Sequence, residues 1–337
     1  MTTSTSTSTY LVTGGAGFIG SHLTEALLAR GDRVIVLDKL STGRRRNLNA
    51  VAEHPNLRFV EGDVLDELVV DELVSEADVV VHLAAAVGVK LLLERPLNCL
   101  TDNIRGTEVV IDAASRSNRK ILIASTSEIY GKNGTGPLAE DADRILGAPT
   151  KARWAYSTAK AVNEIMAYAY NRERGLESVV VRLFNTVGPR QSPAYGMVIP
   201  RLVRQAVAGE ALTVFGDGTQ SRCFCHVHDV VRALTGLLAE PSAVGDVFNV
   251  GGSEHLSIMD LATRIRTLAG SDSPIVLVPY EEAYGPGFDD MKKRVPDTTK
   301  VRDLLGWAPS RTLDDILVET IAEARAERAE ELTAATE

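Results

Sequence analysis

Tyr156 and Lys160, four positions apart, are the pair in this sequence best suited to moving a proton. The segment runs on as Ala161-Val-Asn-Glu-Ile-Met, a helical pattern, so the two side chains share one helix face. An ammonium beside a phenol favours the phenolate and lowers its pKa. A tyrosine tuned in this way takes a hydroxyl proton near neutral pH while hydride leaves the same carbon. Taken alone, Tyr-x-x-x-Lys is common by chance, and an exposed helical pair is its default reading. A second polar group, Ala124-Ser-Thr-Ser-Glu-Ile-Tyr-Gly131, follows the apolar run Lys120-Ile-Leu-Ile-Ala124. That places it at the carboxyl end of a strand, where open α/β sheets bind ligands. Its plainer reading is a Ser/Thr-rich turn that caps itself.

These groups need a frame, and the frame begins at Tyr10-Leu-Val-Thr-Gly-Gly-Ala-Gly-Phe-Ile-Gly20. An apolar strand ends in a glycine cluster, and the helical segment 18–29 follows. Gly14, Gly17 and Gly20 are spaced three apart. Glycine permits positive φ and close approach of a ligand to the backbone. The helix start, with Phe18 and Ile19, presents N–H groups and a positive dipole end suited to a pyrophosphate. A second strand, 33–37, ends at Asp38, the spacing expected of a carboxylate that holds a ribose diol. Lys39 follows, but no arginine stands where a 2′-phosphate needs one, which favours NAD over NADP. Further strands are expected at 57–61, 78–83, 120–125 and 177–183, and helices at 66–76, 97–117 and 153–174. Alternation of this kind argues an α/β fold with a doubly wound, Rossmann-type parallel sheet. After Gly188-Pro189-Arg190 the segments become shorter and richer in Gly and Pro, as in a smaller mixed α/β C-terminal lobe. The expected organisation is a disordered tail at 1–9, an NAD-binding domain at 10–188 and a substrate lobe at 189–325. The strand at 246–250 is expected to return to the main sheet. The tail from Thr312 reads as a charged helix that frays beyond Arg325.

The Gly-x-x-Gly-x-x-Gly turn together with Tyr156-Ser-Thr-Ala-Lys160 resembles the extended short-chain dehydrogenase/reductase family, in its nucleotide-sugar epimerase/dehydratase branch. The resemblance runs from residue 10 to about residue 310. It implies NAD as cofactor and a UDP-sugar as substrate, with Thr126 as the catalytic Ser/Thr that relays a proton with Tyr156 and Lys160. It implies that Asp63 meets the adenine, and that Val64, Leu83, Ala84, Ala85 and Asn103 lie against the cofactor. For the substrate it implies Ser127, Glu128, Asn185, Thr186, Arg190, Val198, Thr213 and Phe215, with Arg222 and Arg294 on the diphosphate. Arginine suits that role through its bidentate fork. It also implies a homodimer built on the helices 97–117 and 153–174, with Val109, Val110, Ile165 and Met166 available. His82 is read as a satisfied core histidine.

The family's chemistries share oxidation at C4 of the sugar and then diverge. A 4,6-dehydratase needs an Asp-Glu pair after the catalytic Thr, and this chain has Ser127-Glu128. UDP-glucuronate decarboxylases carry Ser/Thr-Ser-Glu-Val-Tyr-Gly, similar to Thr126-Ser-Glu-Ile-Tyr-Gly131. The bacterial decarboxylase of lipid A modification has Tyr-Gly-x-Gly-Tyr before Arg-x-Pro, similar to Tyr284-Gly-Pro-Gly-Phe288 before Arg294-Val-Pro296. In that enzyme the Glu and the Arg lie near the sugar carboxylate. The segments at 182–191 and 216–222 resemble those of 4-epimerases, and Ser192–Pro200 lacks the His/Met-rich sequence usual in decarboxylases. The sequence therefore ranks UDP-sugar 4-epimerase first, with UDP-glucuronate as substrate and UDP-glucose next, and UDP-glucuronate decarboxylase second. A catalytically silent NAD-binding regulator is the reading from another class; Thr126, Tyr156 and Lys160 all being present speaks against it.

Composition agrees with an ordinary soluble globular protein. The 337 residues are 45% hydrophobic and 24% charged, and the net charge of −9 argues against nucleic-acid binding. No apolar run approaches membrane-spanning length. The Ser/Thr repeat at the N-terminus lacks the basic and apolar regions of a signal peptide. Three cysteines, Cys99, Cys223 and Cys225, fit reduced thiols in a cytoplasmic setting. Beside Cys225, His226 and His228 read as a strand end followed by a helix cap, with no metal expected.

Overall fold

The computed structural model describes residues 7–88, 91, 94–193, 197–285 and 291–334. Its centre is a parallel sheet of seven strands in the order β11-β6-β5-β4-β1-β2-β3. These are β1 (Thr9–Thr13), β2 (Arg33–Asp38), β3 (Leu57–Glu61), β4 (Val79–His82), β5 (Lys120–Thr126), β6 (Ser178–Leu183) and β11 (Asp246–Val250). The central strands are apolar runs because both faces of a parallel sheet are covered by crossover helices. One face buries Val12, Val36, Val81 and Leu122 against α1 (Phe18–Ala29) and the helix Val227–Ala239. The other buries Leu11, Ile35, Val80 and Ile121 against α2 (Glu67–Glu76), α3 (Pro96–Arg116) and α4 (Ala155–Arg174). The strand order reverses between β1 and β4, and a crevice opens there at the carboxyl ends. Register sets those ends level: Thr13 pairs with Leu37 and with His82, and Thr126 with Leu183.

The smaller lobe has its own core, with Leu202, Val214, Leu261 and Leu317 from different elements packed together. Short strands frame its entrance: β7 (Thr186–Val187), β8 (Leu212–Phe215), β9 (Ser221–Cys223), β10 (Cys225–His226), β12 (His255–Ser257), β13 (Ile275–Val278) and β14 (Lys293–Arg294). As expected, the strand at 246–250 returns to the main sheet, beside β6.

Three expectations need correction. Ser8 and Thr9 belong to the fold and not to a loose tail: Thr9 opens β1 and its N–H donates to Asp78 at 2.8 Å, while the Ser8 N–H donates to Asp32. Residues 1–6 of that tail lie outside the described residues. The C-terminal helix runs from Leu313 to Ala334, past Arg325. Glu327 pairs with Arg46, Glu331 with Arg204, and the Arg328 guanidinium donates to the Val207 carbonyl, so the last turns have partners on both lobes. Finally, Val110 is fully buried in the sheet core and cannot serve an outer face, whereas Ile165 is 64% exposed. The three cysteines are buried and unpaired, and His226 caps the following helix by accepting from the His228 N–H.

Candidate active site

A cavity of about 740 Å³ runs along the carboxyl ends of the strands and into the smaller lobe. One end is the glycine turn. Gly14 has φ +71°, and a Cβ there would meet the Ala84 backbone nitrogen at 2.8 Å. A Cβ on Gly20 would run into the Gly14 carbonyl oxygen, so α1 can start this close to β1 only with glycine. Asp38, at the end of β2, accepts from the Ala16 N–H at 3.0 Å and the Leu40 N–H at 2.8 Å. Those bonds fix its carboxylate on the cavity wall; burial raises its pKa and the backbone donors oppose that rise. The residues at this end suit a dinucleotide: the helix start would face its pyrophosphate, Asp38 a ribose diol, and Asp63 the base, with Val64 also on the wall. The Lys39 ammonium is held by Asp63 at 3.2 Å and Asp102 at 3.0 Å, and Arg44 also reaches this wall.

One cofactor assignment shifts. Leu83, Ala84 and Ala85 line the cavity, but Asn103 does not. Its amide is spent on the Ala86 backbone and on the Cys99 carbonyl, so it braces the loop leaving β4 from behind. His82 is the satisfied core histidine expected, bonded to Thr13 at 2.8 Å and Thr107 at 3.1 Å. Burial first, and the nearby Lys160 second, push its pKa down to about 3, so the ring stays neutral.

Tyr156 and Lys160 both reach the cavity from one face of α4. Their electrostatics differ from the expectation. The Lys160 ammonium donates to the Ala124 carbonyl at 2.9 Å, and burial pushes its pKa down to about 8. Burial raises the Tyr156 pKa, and the Glu128 charge raises it further. Lys160 therefore does not by itself make Tyr156 a phenolate. The third member, Thr126, accepts from the Glu128 N–H at 3.2 Å, which leaves its own O–H as a donor toward a ligand.

Glu128 begins a charged cluster whose other key member the sequence reading missed. Arg153, in the one-turn helix Ala152–Trp154 just before α4, donates to Glu128 Oε2 at 2.6 Å. Arg294 lies 3.7 Å from the other carboxylate oxygen and donates to Asn185 at 2.8 Å. Asn185 in turn donates to the Cys223 carbonyl at 2.7 Å. Arg153 and then Arg294 hold the Glu128 pKa below the ordinary carboxylate range, against the opposing pull of burial. The pairing of β14 with β9 sets Arg294 directly beside Arg222, both buried. Like charges opposite one another repel, so such a pair is suited to an anion between them.

Ser127, Thr186, Arg190, Val198 and Phe215 also line the cavity, and Thr186 Oγ1 has no hydrogen-bond partner among the described residues. A buried hydroxyl in that condition calls for a polar ligand. Thr213 is not brought to the wall: its hydroxyl is taken up by Gln205 and Arg201. The wall there is aromatic. Phe215 meets Tyr284 edge-on at 5.3 Å, Tyr280 stacks on Tyr284, and the Arg201 guanidinium covers Phe215 at 3.9 Å. Of the Tyr284–Phe288 motif, residues 286–288 lie outside the described residues, as do 194–196 of the 192–200 segment.

Known proteins match this chain along nearly its whole length. It is 40% identical over 312 residues to the UDP-N-acetyl-α-D-glucosaminuronate decarboxylase of Bacillus cytotoxicus, which covers 92% of this chain and 96% of that protein. It is 37% identical over 311 residues to UDP-glucuronic acid decarboxylase 1 of Danio rerio, covering 92% and 71%. Among solved structures, the UDP-glucuronic acid 4-epimerase of Bacillus cereus in complex with UDP-glucuronic acid and NAD superposes with a TM-score of 0.86 at 29% identity, covering 95% and 99%. The family model described as the NAD dependent epimerase/dehydratase family matches residues 10–251. With the glycine turn, Asp38 and the Thr126-Tyr156-Lys160 group all set on one cavity, the chain belongs to the NAD-dependent epimerase/dehydratase family, and its cofactor is NAD.

Proposed function

We propose that the protein is an NAD-dependent UDP-uronate decarboxylase, converting UDP-glucuronate or its 2-acetamido analogue to the UDP-pentose and CO₂. This replaces the 4-epimerase ranked first from sequence. The observation that carries it is Glu128, an ionised carboxylate set between Arg153 and Arg294 beside Thr126. The decarboxylase names of the relatives at 40% and 37% identity support the same reading. Arg222 and Arg294, set side by side next to the Glu128 carboxylate, suit a substrate with a diphosphate.

Arg222 and Arg294 would take the diphosphate, and the Phe215-Tyr284 wall the uracil. Thr126 would donate to the sugar oxygen at C4, and Tyr156 would take its proton. NAD, when bound, supplies the hydride acceptor at C4 and a positive charge near the phenol. Once C4 is a ketone the uronate is a β-keto acid, and the electrons of its C5–C6 bond can pass into the C4 carbonyl. Glu128 beside the substrate carboxylate adds like-charge repulsion that ends when neutral CO₂ leaves.

The test is incubation with UDP-glucuronate and, separately, UDP-N-acetylglucosaminuronate, with products resolved by mass spectrometry and NMR. CO₂ with a pentose product is expected. A product isobaric with the substrate would overturn this reading in favour of the 4-epimerase, which draws its support from the Bacillus cereus structure. We further propose a homodimer formed by α3 and α4.

A further inference from the structure

The decarboxylase reading leaves a question that the cavity addresses. A 4-keto uronate can lose its carboxylate, or C4 can simply be reduced again. We propose that Arg153 is the positioning residue that decides between these outcomes, by clamping Glu128 against the sugar end of the cavity and so committing the intermediate to C–C cleavage. The inference rests on the decarboxylase reading.

Arg153 is 3% exposed, and its guanidinium makes the short contact to Glu128, 2.6 Å, while Arg294 stands at 3.7 Å. The geometry ties together two elements distant in sequence. Glu128 sits in the one-turn helix Ser127–Tyr130 after Thr126, and Arg153 lies three residues before Tyr156. The clamp therefore fixes the carboxylate relative to both groups that work on C4. It also supplies the largest of the charge effects that keep Glu128 ionised. In the cleavage step the C5–C6 bond breaks, its electron pair passes into the C4 carbonyl to give the enolate, and C6 leaves as CO₂. A solvent proton then enters at C5, with the C4 ketone restored. A carboxylate held at this place, and held charged, acts on that step; because its charge also raises the Tyr156 pKa, the ratio of cleavage to C4 oxidation, and not either rate alone, reports its effect. A loosened Glu128 swings away or takes a proton, and the 4-keto sugar then keeps its carboxylate long enough to be reduced at C4, from either face.

The experiment uses the NAD-loaded enzyme and whichever of UDP-glucuronate or UDP-N-acetylglucosaminuronate the wild type turns over, labelled at C6. Reduced nicotinamide formed in a single turnover reports C4 oxidation, and labelled CO₂ reports cleavage. In Arg153→Met the ratio of CO₂ release to C4 oxidation should fall about 10²-fold, the lower range for a positioned acid–base group. C6-intact products, including the 4-epimer, should appear. Arg153→Lys should restore part of the ratio, with the acid limb of CO₂ release moved to higher pH, because a point charge replaces the fork. A ratio unchanged in Arg153→Met, whether both half-reactions fall together or neither does, overturns the inference. Should Arg153→Met fail to fold around a Glu128 left with Arg294 at 3.7 Å, the double variant Glu128→Gln/Arg153→Met removes the Arg153–Glu128 charge pair whole. It should release CO₂ no more slowly than Glu128→Gln alone, and an additive further loss overturns the inference. If the wild type yields only isobaric product and no CO₂ from either uronate, the decarboxylase reading itself falls, before any Arg153 variant is compared.

Discussion

Tyr156 lies where burial and the Glu128 charge both oppose its ionisation, and the Lys160 ammonium is turned to the Ala124 carbonyl. The phenol is therefore poised to lose its proton only as positive charge arrives beside it. Tyr156→Phe should leave NAD bound and lower turnover by about 10²–10⁴; near-normal turnover, measured by product formation at saturating substrate, would remove the proposed mechanism. Lys160 gives a prediction on stability. Its pKa in the fold is pushed down to about 8, so above that pH the folded protein carries it neutral. The unfolded chain holds that proton up to about pH 10.4, so between the two values the unfolded state binds more protons and stability rises with pH. Wild type should therefore gain stability relative to Lys160→Met on going from about pH 8 to about pH 10, read from urea midpoints of the two proteins, and a constant difference would contradict the assigned shift. Tyr156, Lys160 and Thr126 were legible because each follows a recognisable strand or helix pattern. Arg153 was not. An arginine three residues before a tyrosine carries no signal until a one-turn helix brings it to Glu128, 25 positions away. Asn103 and Thr213 erred the other way: both stand in the right order along the chain, but their polar atoms are consumed by Ala86 and Cys99, and by Gln205 and Arg201.

The turn that carries Thr126 and Glu128 is held by elements behind it. Arg182 of β6 grips Glu164 of α4 through two nitrogens, at 3.0 and 2.8 Å, and Ser125 donates to the same carboxylate at 2.5 Å. The same guanidinium donates to Tyr130 at 2.8 Å, and the Tyr130 hydroxyl donates to Asn249 of β11 at 2.7 Å. Strands β5, β6 and β11 and helix α4 are thereby locked where the turn of Thr126 and Glu128 leaves the sheet. Glu164→Gln would leave Arg182 buried without its counter-charge, so it should cost about 3–5 kcal/mol of stability. Urea denaturation followed by tryptophan fluorescence measures this, and a loss under about 1 kcal/mol would mean that the network contributes little to stability. Strands β1–β6 and helices α1–α4 could be read within one or two residues, because a buried parallel strand is a continuous apolar run and a helix that covers a sheet shows its own period. Of the strands of two or three residues, β7, β12 and β14 could not, and β9 and β10 were legible only as a strand end about Cys225. Runs that short have no period of their own and exist only through their pairing partners. This is why the juxtaposition of Arg222 and Arg294, set by β9 and β14, was visible as two candidate arginines but not as a pair.

Across the whole molecule the two lobes meet along a polar seam. Arg190 donates to Glu25 at 2.7 Å and to Ser21 on α1, while its backbone N–H donates to Glu323 of the C-terminal helix at 2.7 Å. The guanidinium expected on substrate thus ties α1 to the smaller lobe from the cavity wall. Outward from the sheet, α3 and α4 pack side by side, with Tyr170 donating to Asp112 across them. Ile165 at 64% and Tyr168 at 37% exposure stand on the open side of α4, and Leu97 at 73% near the start of α3. Large apolar side chains gathered on neighbouring helices favour a partner, and a second copy related by a two-fold axis is the commonest kind. Val109 and Met166 are partly packed on the core and can add only their edges to such a contact. The proposed dimer should appear by light scattering at micromolar concentration. Ile165→Glu places a charge on the axis-facing side of α4 and should shift the protein toward monomer, with its NAD binding retained, because Ile165 contributes nothing to the cavity. A wild-type protein that is monomeric under those conditions would remove the proposed interface, and so would an Ile165→Glu protein that dimerises as tightly as the wild type.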